Sequence, residues 1–276
     1  MKSQTECPSF DKDLPVLNQF IHELVEAYMA NKIQTWDALD SKVKSFFTHE
    51  NMDAVEIKAP GWKKMASYSD GITLTHVTCV FLGMFMLPEF RSLTDEQKQL
   101  AKWIVLFHDI DKAHIRGQKD TMHAFNSGVV AANVLPSLGF PVTDKYQALK
   151  TSWGNFTKQA FTVETKIPQK PDNQKLPEIL AGISQLFGEN SPADLIVKTV
   201  LLHISLDADK NYPTPAPLTD DEIKRFISPA LFPLLKVMML SDNEGWTLFN
   251  SAVREQQRRD ILQAFEHIQM LISIPQ

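Results

Sequence analysis

Cysteine is scarce in this chain of 276 residues, which has only Cys7 and Cys79. One stands in a polar N-terminal stretch and the other in an apolar run, so they form no disulfide framework and suit a reducing compartment. Long apolar runs are also missing. No uninterrupted stretch reaches the roughly 18 residues of a spanning helix, and Met1 to Pro15 lacks the basic-then-apolar order of a signal peptide. The expectation is a cytoplasmic protein with no membrane partner. Charge of one sign is not in excess: 28 Lys and Arg against 33 Asp and Glu give a net −5, with no global pull towards a nucleic-acid duplex. No segment alternates convincingly with the period of a strand, and no internal repeat is visible.

What the chain does have is helical periodicity. Leu17, Phe20, Ile21, Leu24 and Val25 recur at helical spacing between Leu14 and Ala30, and Trp36, Leu39, Val43, Phe46 and Phe47 continue the pattern. Ile72 to Leu87 is a strongly apolar helix ended by Pro88. Ser92 to Gln97 carries a helix start with acids in its first turn, and that helix runs through Leu100, Trp103 and Ile104 to Phe107. Met122 to Leu138 is rich in small residues that let helices approach closely. Further helices are expected from Pro192, from Asp220, over Leu231 to Leu240 and from Asn250 to about Ile272. The fold class is therefore all-α, a multi-helix globular bundle. Residues 1–13 read as frayed. Residues 141–192, with Trp153-Gly154-Asn155-Phe156, read as loop, insertion or lid. The domain reading is an N-terminal helical segment (1–61) packed on a core (62–246), followed by a C-terminal helix (247–276).

Chemistry concentrates at Phe107-His108-Asp109-Ile110-Asp111-Lys112. Adjacent side chains on a helix point about 100° apart, so His108 and Asp109 converge only on a point beside the helix end. A lone pair of this kind is as readily a helix cap. Here, however, other apolar helices each bring one polar group of ligand type: His76, His203 with Asp207 and Asp209 beyond it, Asp242, and His123 from a fifth. Nitrogen and carboxylate oxygen in this mixture suit one or two divalent ions of Mn, Fe, Co, Ni or Zn, and Mg less well. Lys112, Arg116 and Lys119 form a basic stretch, either solvated or facing an anionic substrate. His22, His49, His114 and His267 lack ligand-like spacing and are read as surface or packing residues.

The ordered set His76, His108-Asp109, Asp242 resembles the H…HD…D signature of the HD-domain superfamily of metal-dependent phosphohydrolases. His-Asp-Ile-Asp-Lys is similar to its central motif, although Asp111 stands where the cyclic-dinucleotide-cleaving branch usually has Gly. The likeness covers about residues 62–246, and His123 and His203 fall in the order used by branches that hold two metals. It implies a helical fold with a central metal cleft. One ion would be held by His76, His108, Asp109 and Asp242, and a second by His123, His203 and a bridging Asp109. Two carboxylates against two divalent ions leave about +2 to attract a phosphate. A metal-activated water would then cleave a phosphomonoester or phosphodiester, of a nucleotide or related small phosphate. Asp109, Lys112 and Asp111 would be catalytic. Lys112, Arg116 and Lys119 would bind substrate, and Asp111 would orient Lys112 or accept a proton. Two alternatives accompany this reading, an HD-type di-iron oxygenase and a non-catalytic metal-binding regulatory domain.

Overall fold

The computed structural model describes residues 7–113, 120, 122–159, 175–205 and 218–273. The helices in chain order are α1 (Phe10–Asp13), α2 (Pro15–Met29), α3 (Trp36–Phe46), α4 (His49–Lys58), α5 (Trp62–Ser67), α6 (Ile72–Met86), α7 (Pro88–Arg91) and α8 (Asp95–Phe107). They are followed by α9 (His123–Val134), α10 (Tyr146–Gln159), α11 (Leu176–Phe187), α12 (Pro192–Leu202), α13 (Asp220–Phe226), α14 (Leu231–Thr247) and α15 (Ser251–Ser273). No strand occurs among the described residues, so the fold is all-α.

The bundle is built around α6. Every residue from Thr73 to Met84 is buried, as expected for a helix apolar on all sides. α14 runs along it and α2, α3, α5 and α8 also pack on it, while α12 bridges α8, α9 and α14. The close approach of α6 and α14 depends on Gly83, where a Cβ would overlap the Cβ of Glu244. One continuous apolar core runs from Phe10 to Ile268. No described helix is long and apolar enough to cross a membrane. Cys7 and Cys79 are both free thiols.

α8 starts as its sequence requires. The Thr94 hydroxyl accepts from the Gln97 N–H and the Gln97 side chain caps Thr94 in return, with Asp95 and Glu96 facing the positive end of the helix dipole. Pro88 both follows the end of α6 and opens α7, where a missing N–H removes nothing. Gly139, at φ 97°, stops the short 3₁₀ turn after α9.

The structure departs from expectation in three places. Phe10 is fully buried against Phe81 and Trp103, with ring centroids 5.6 and 5.2 Å away, so the chain is anchored from α1 onward rather than frayed through residue 13. Trp153-Gly154-Asn155-Phe156 is not a loop but part of α10. Gly and Asn are weak helix formers, yet Trp153 is buried and donates to the Ile179 carbonyl at 3.0 Å, which locks α10 to α11. Residues 160–174 of the expected insertion lie outside the described residues, as do His114, Arg116, Lys119, Asp207 and Asp209. Finally, Asp242 does not follow the end of an apolar helix but sits inside α14, which continues to Thr247.

Glycine spacing gives a direct test of this packing. Gly83→Ala should lower unfolding free energy by about 1–3 kcal/mol through overpacking. Gly128→Ala, whose Cβ would sit 3.5 Å from Leu201 in ordinary contact, should change it by less than about 1 kcal/mol. Urea unfolding of both variants measures the contrast, and equal effects would contradict the described α6–α14 contact.

Candidate metal centre

Five elements converge beside the N-terminal part of α6. His76 lies one turn into α6, and Asp242 faces it from α14 with its Oδ1 3.0 Å from His76 Nε2. His108 is the C-cap of α8, and the chain then bends, with Ile110 N–H donating to the Phe107 carbonyl at 3.2 Å, so that Asp109 turns inward. Buried Ile110 pins the bend, and Asp111 N–H donates to Ser127 Oγ of α9 at 3.2 Å. His123 begins α9 and His203 is the C-cap of α12. Three imidazoles are thus delivered at helix ends, while His76 and Asp242 meet across the tightest helix pair.

The contacts form two three-residue groups able to hold a metal ion: His76, His108 and Asp242, and Asp109, His123 and His203. Asp109 connects them. Its Oδ2 is 3.4 Å from His76 Nε2 and 3.6 Å from His108 Nε2, and its Oδ1 is 3.3 Å from His123 Nε2. Ligands about 2.1 Å from one ion lie about 3.0 Å apart at right angles and about 3.4 Å apart at tetrahedral angles. The observed separations are close to those edges. His76, His108, Asp109, His123 and His203 are at most 3% exposed, whereas the Asp242 side chain is 27% exposed. We therefore distinguish an outer group, containing Asp242, from an inner one.

Five of the polar atoms facing this point are orphans: His76 Nε2, His108 Nε2, His203 Nε2, Asp109 Oδ1 and Asp242 Oδ1 are buried with no hydrogen-bond partner among the described residues. Leaving one such group unsatisfied costs about 1–3 kcal/mol, so several at one point call for a cation. The tautomers agree. His108 Nδ1 donates to the Val105 carbonyl at 2.8 Å, His123 Nδ1 to Asp120 at 2.6 Å and His203 Nδ1 to Val200 at 2.6 Å. A carbonyl only accepts, so each Nδ1 carries the proton and each Nε2 presents a lone pair. At the C-caps this works because the last helical carbonyls lack ladder partners. Burial pushes His108 down to about 4, and burial together with the Lys112 charge pushes His123 down to about 3. Burial alone would raise Asp109, but Lys112 and the surrounding imidazoles hold it well below the usual carboxylate range. The same opposition, with His76 as the main lowering contact, holds Asp242 low.

No protein-family model, curated protein or solved structure matches the chain. The geometry alone therefore carries the functional argument. All six ligand candidates come together: His76, His108, Asp109, His123, His203 and Asp242. Lys112 adjoins them, with its Nζ 2.7 Å from Asp109 Oδ2 and 5.6 Å from the Trp246 ring centre. Asp111 does not orient Lys112. Its Oδ1 accepts instead from Lys64 Nζ at 2.9 Å, tying the bend to α5. His22 and His49 are exposed. His267 pairs with Asp220 at 2.9 Å, joining α15 to α13. Sequence reasoning gave no role to Trp246, stacked on His76 with centroids 4.0 Å apart, or to Gly245 beside it. The Ser241 to Trp246 run following Leu231–Leu240 was the available signal.

The neutral imidazoles make stability depend on pH. In the unfolded chain histidine protonates near 6.5, but in the folded metal-free protein His108 does so near 4 and His123 near 3. The unfolded state holds more protons between those values, so stability is lost as pH falls from about 6.5 towards 4. The melting temperature of chelator-treated protein should decline over that window, and less steeply in His123→Gln. A flat profile would contradict buried neutral imidazoles.

Proposed function

We propose that the protein is a metal-dependent phosphohydrolase that cleaves a phosphomonoester or phosphodiester, of a nucleotide or related small phosphate. The supporting observation is Asp109, which turns one oxygen towards each of two ligand groups while an ammonium lies against it. His76, His108, Asp242 and Asp109 would hold one divalent transition-metal ion, and Asp109, His123 and His203 a second. Ions held there supply Lewis-acid polarisation of a phosphoryl oxygen and acidify a water for attack near neutral pH.

The chain's own residues contribute the remainder. With neutral imidazoles, only the two carboxylates offset the ionic charge, so a loaded centre keeps about +2 and favours a phosphate anion. Nearly complete burial of five ligand side chains keeps bulk solvent away, which strengthens electrostatic interactions. The partly exposed Asp242 marks the open side. Lys112, whose side chain is 15% exposed, would shift from Asp109 Oδ2 to a phosphoryl oxygen on which negative charge develops. Arg116 and Lys119 follow it in sequence as additional cations for substrate.

Two substitutions separate holding the ions from using them. Asp109→Ala should lose bound metal and phosphate release together. Lys112→Ala should keep its metal and slow phosphate release by about 10²–10³-fold. Metal content by mass spectrometry and anaerobic phosphate release on a panel of small phosphates measure both. A fully active Asp109→Ala protein contradicts the proposal. Iron-dependent dioxygen consumption without phosphate release would instead favour an oxygenase, and metal-loaded protein inert on the panel a regulatory binding domain.

A further inference from the structure

His76 is held differently from the other three imidazoles. It lies inside α6, where the carbonyl three residues earlier belongs to the helix ladder and is not free to receive its Nδ1–H. Its Nδ1 is accordingly buried without a hydrogen-bond partner among the described residues. A tether of that kind sets ring orientation and tautomer in metal ligands, and χ2 of histidine is otherwise broad. Something else must fix this ring.

Packing does so. The Trp246 indole lies on His76 with centroids 4.0 Å apart and planes 18° from parallel. Gly245 closes in beside it: a Cβ there would stand 2.9 Å from His76 Cε1 and 3.0 Å from Nδ1. Trp246 is itself 48% exposed, so it needs support of its own. Trp36 of α3 provides it, with its ring within 5° of parallel and centroids 6.2 Å apart. Trp36, Gly245 and Trp246 carry no ligand atom.

We propose that Trp246, backed by Trp36 and given room by Gly245, is a positioning residue for His76. The outer ligand group then depends on an aromatic stack that reaches it from the N-terminal helices, while the inner group, with backbone-tethered His123 and His203, does not. This inference rests on the proposed metal centre but not on the hydrolytic chemistry.

The test is a cobalt(II) titration of the full-length metal-free protein, followed by calorimetry and by the visible absorption bands of the bound ion. Trp246→Ala should weaken one class of site by about 10- to 100-fold and leave the other unchanged. Trp246→Phe should restore most of the loss, and Trp36→Ala should weaken the same class by less. The melting temperature of the metal-free variants should stay near that of the wild type. Unchanged affinities in Trp246→Ala overturn the inference. So does equal weakening of both classes with a lower metal-free melting temperature, or a single class insensitive to Trp246. Wild-type protein that takes up no cobalt overturns the metal centre itself, which separates the two failures.

Discussion

The structure depends on burying four imidazoles and two carboxylates at one point in an apolar bundle. Each side chain alone would be an expensive guest in the core, and His76 Nε2, His108 Nε2, His203 Nε2, Asp109 Oδ1 and Asp242 Oδ1 find no hydrogen-bond partner among the described residues. What makes the arrangement tolerable is that their lone pairs and charges converge on the same small volume, where a cation can satisfy them together. Asp109 matters most, because its two oxygens face different histidines and join two ligand groups into one centre.

The fold serves that convergence by two means. Helix ends supply His108, His123 and His203, since unpaired carbonyls there, or in the chain just before α9, can take the Nδ1–H of each ring. Close helix packing supplies His76 and Asp242. Gly83 and Gly245 bring α14 against α6 so closely that a carboxylate and an imidazole meet at 3.0 Å. The first means fixes a ring by a hydrogen bond, and the second by contact with Trp246. Asp242 makes the outer group the more exposed one, and of its two imidazoles His76 is held by packing while His108 is tethered like His123 and His203.

Much of the site was legible in the sequence, because a histidine or aspartate within or just after an apolar run stands out against its neighbours. His76, His108-Asp109 and Asp242 could be picked out on that ground. The all-α class was legible because apolar spacing repeats with the helical period. Other features were not. Asp111 next to Lys112 suggested a local pair, but the bend after α8 sends it to Lys64 instead. The α10 helix was hidden by Gly154 and Asn155, whose weak propensity is overridden when Trp153 packs on α11. The Trp36–Trp246–His76 stack joins residues distant in sequence, and the Ser241 to Trp246 run points to neither Trp36 nor His76 as a partner of Trp246.

The most direct measurement of the central claim is anomalous diffraction at transition-metal edges from crystals of protein purified without chelator. The account predicts ion density bridged by Asp109, with His76, His108 and Asp242 about 2.1 Å from one ion and His123 and His203 at similar distance from another. A single ion bound by one of these groups would still place a metal at this point. Anomalous density elsewhere, or none beside Asp109 in crystals soaked with manganese, cobalt or zinc, would contradict it.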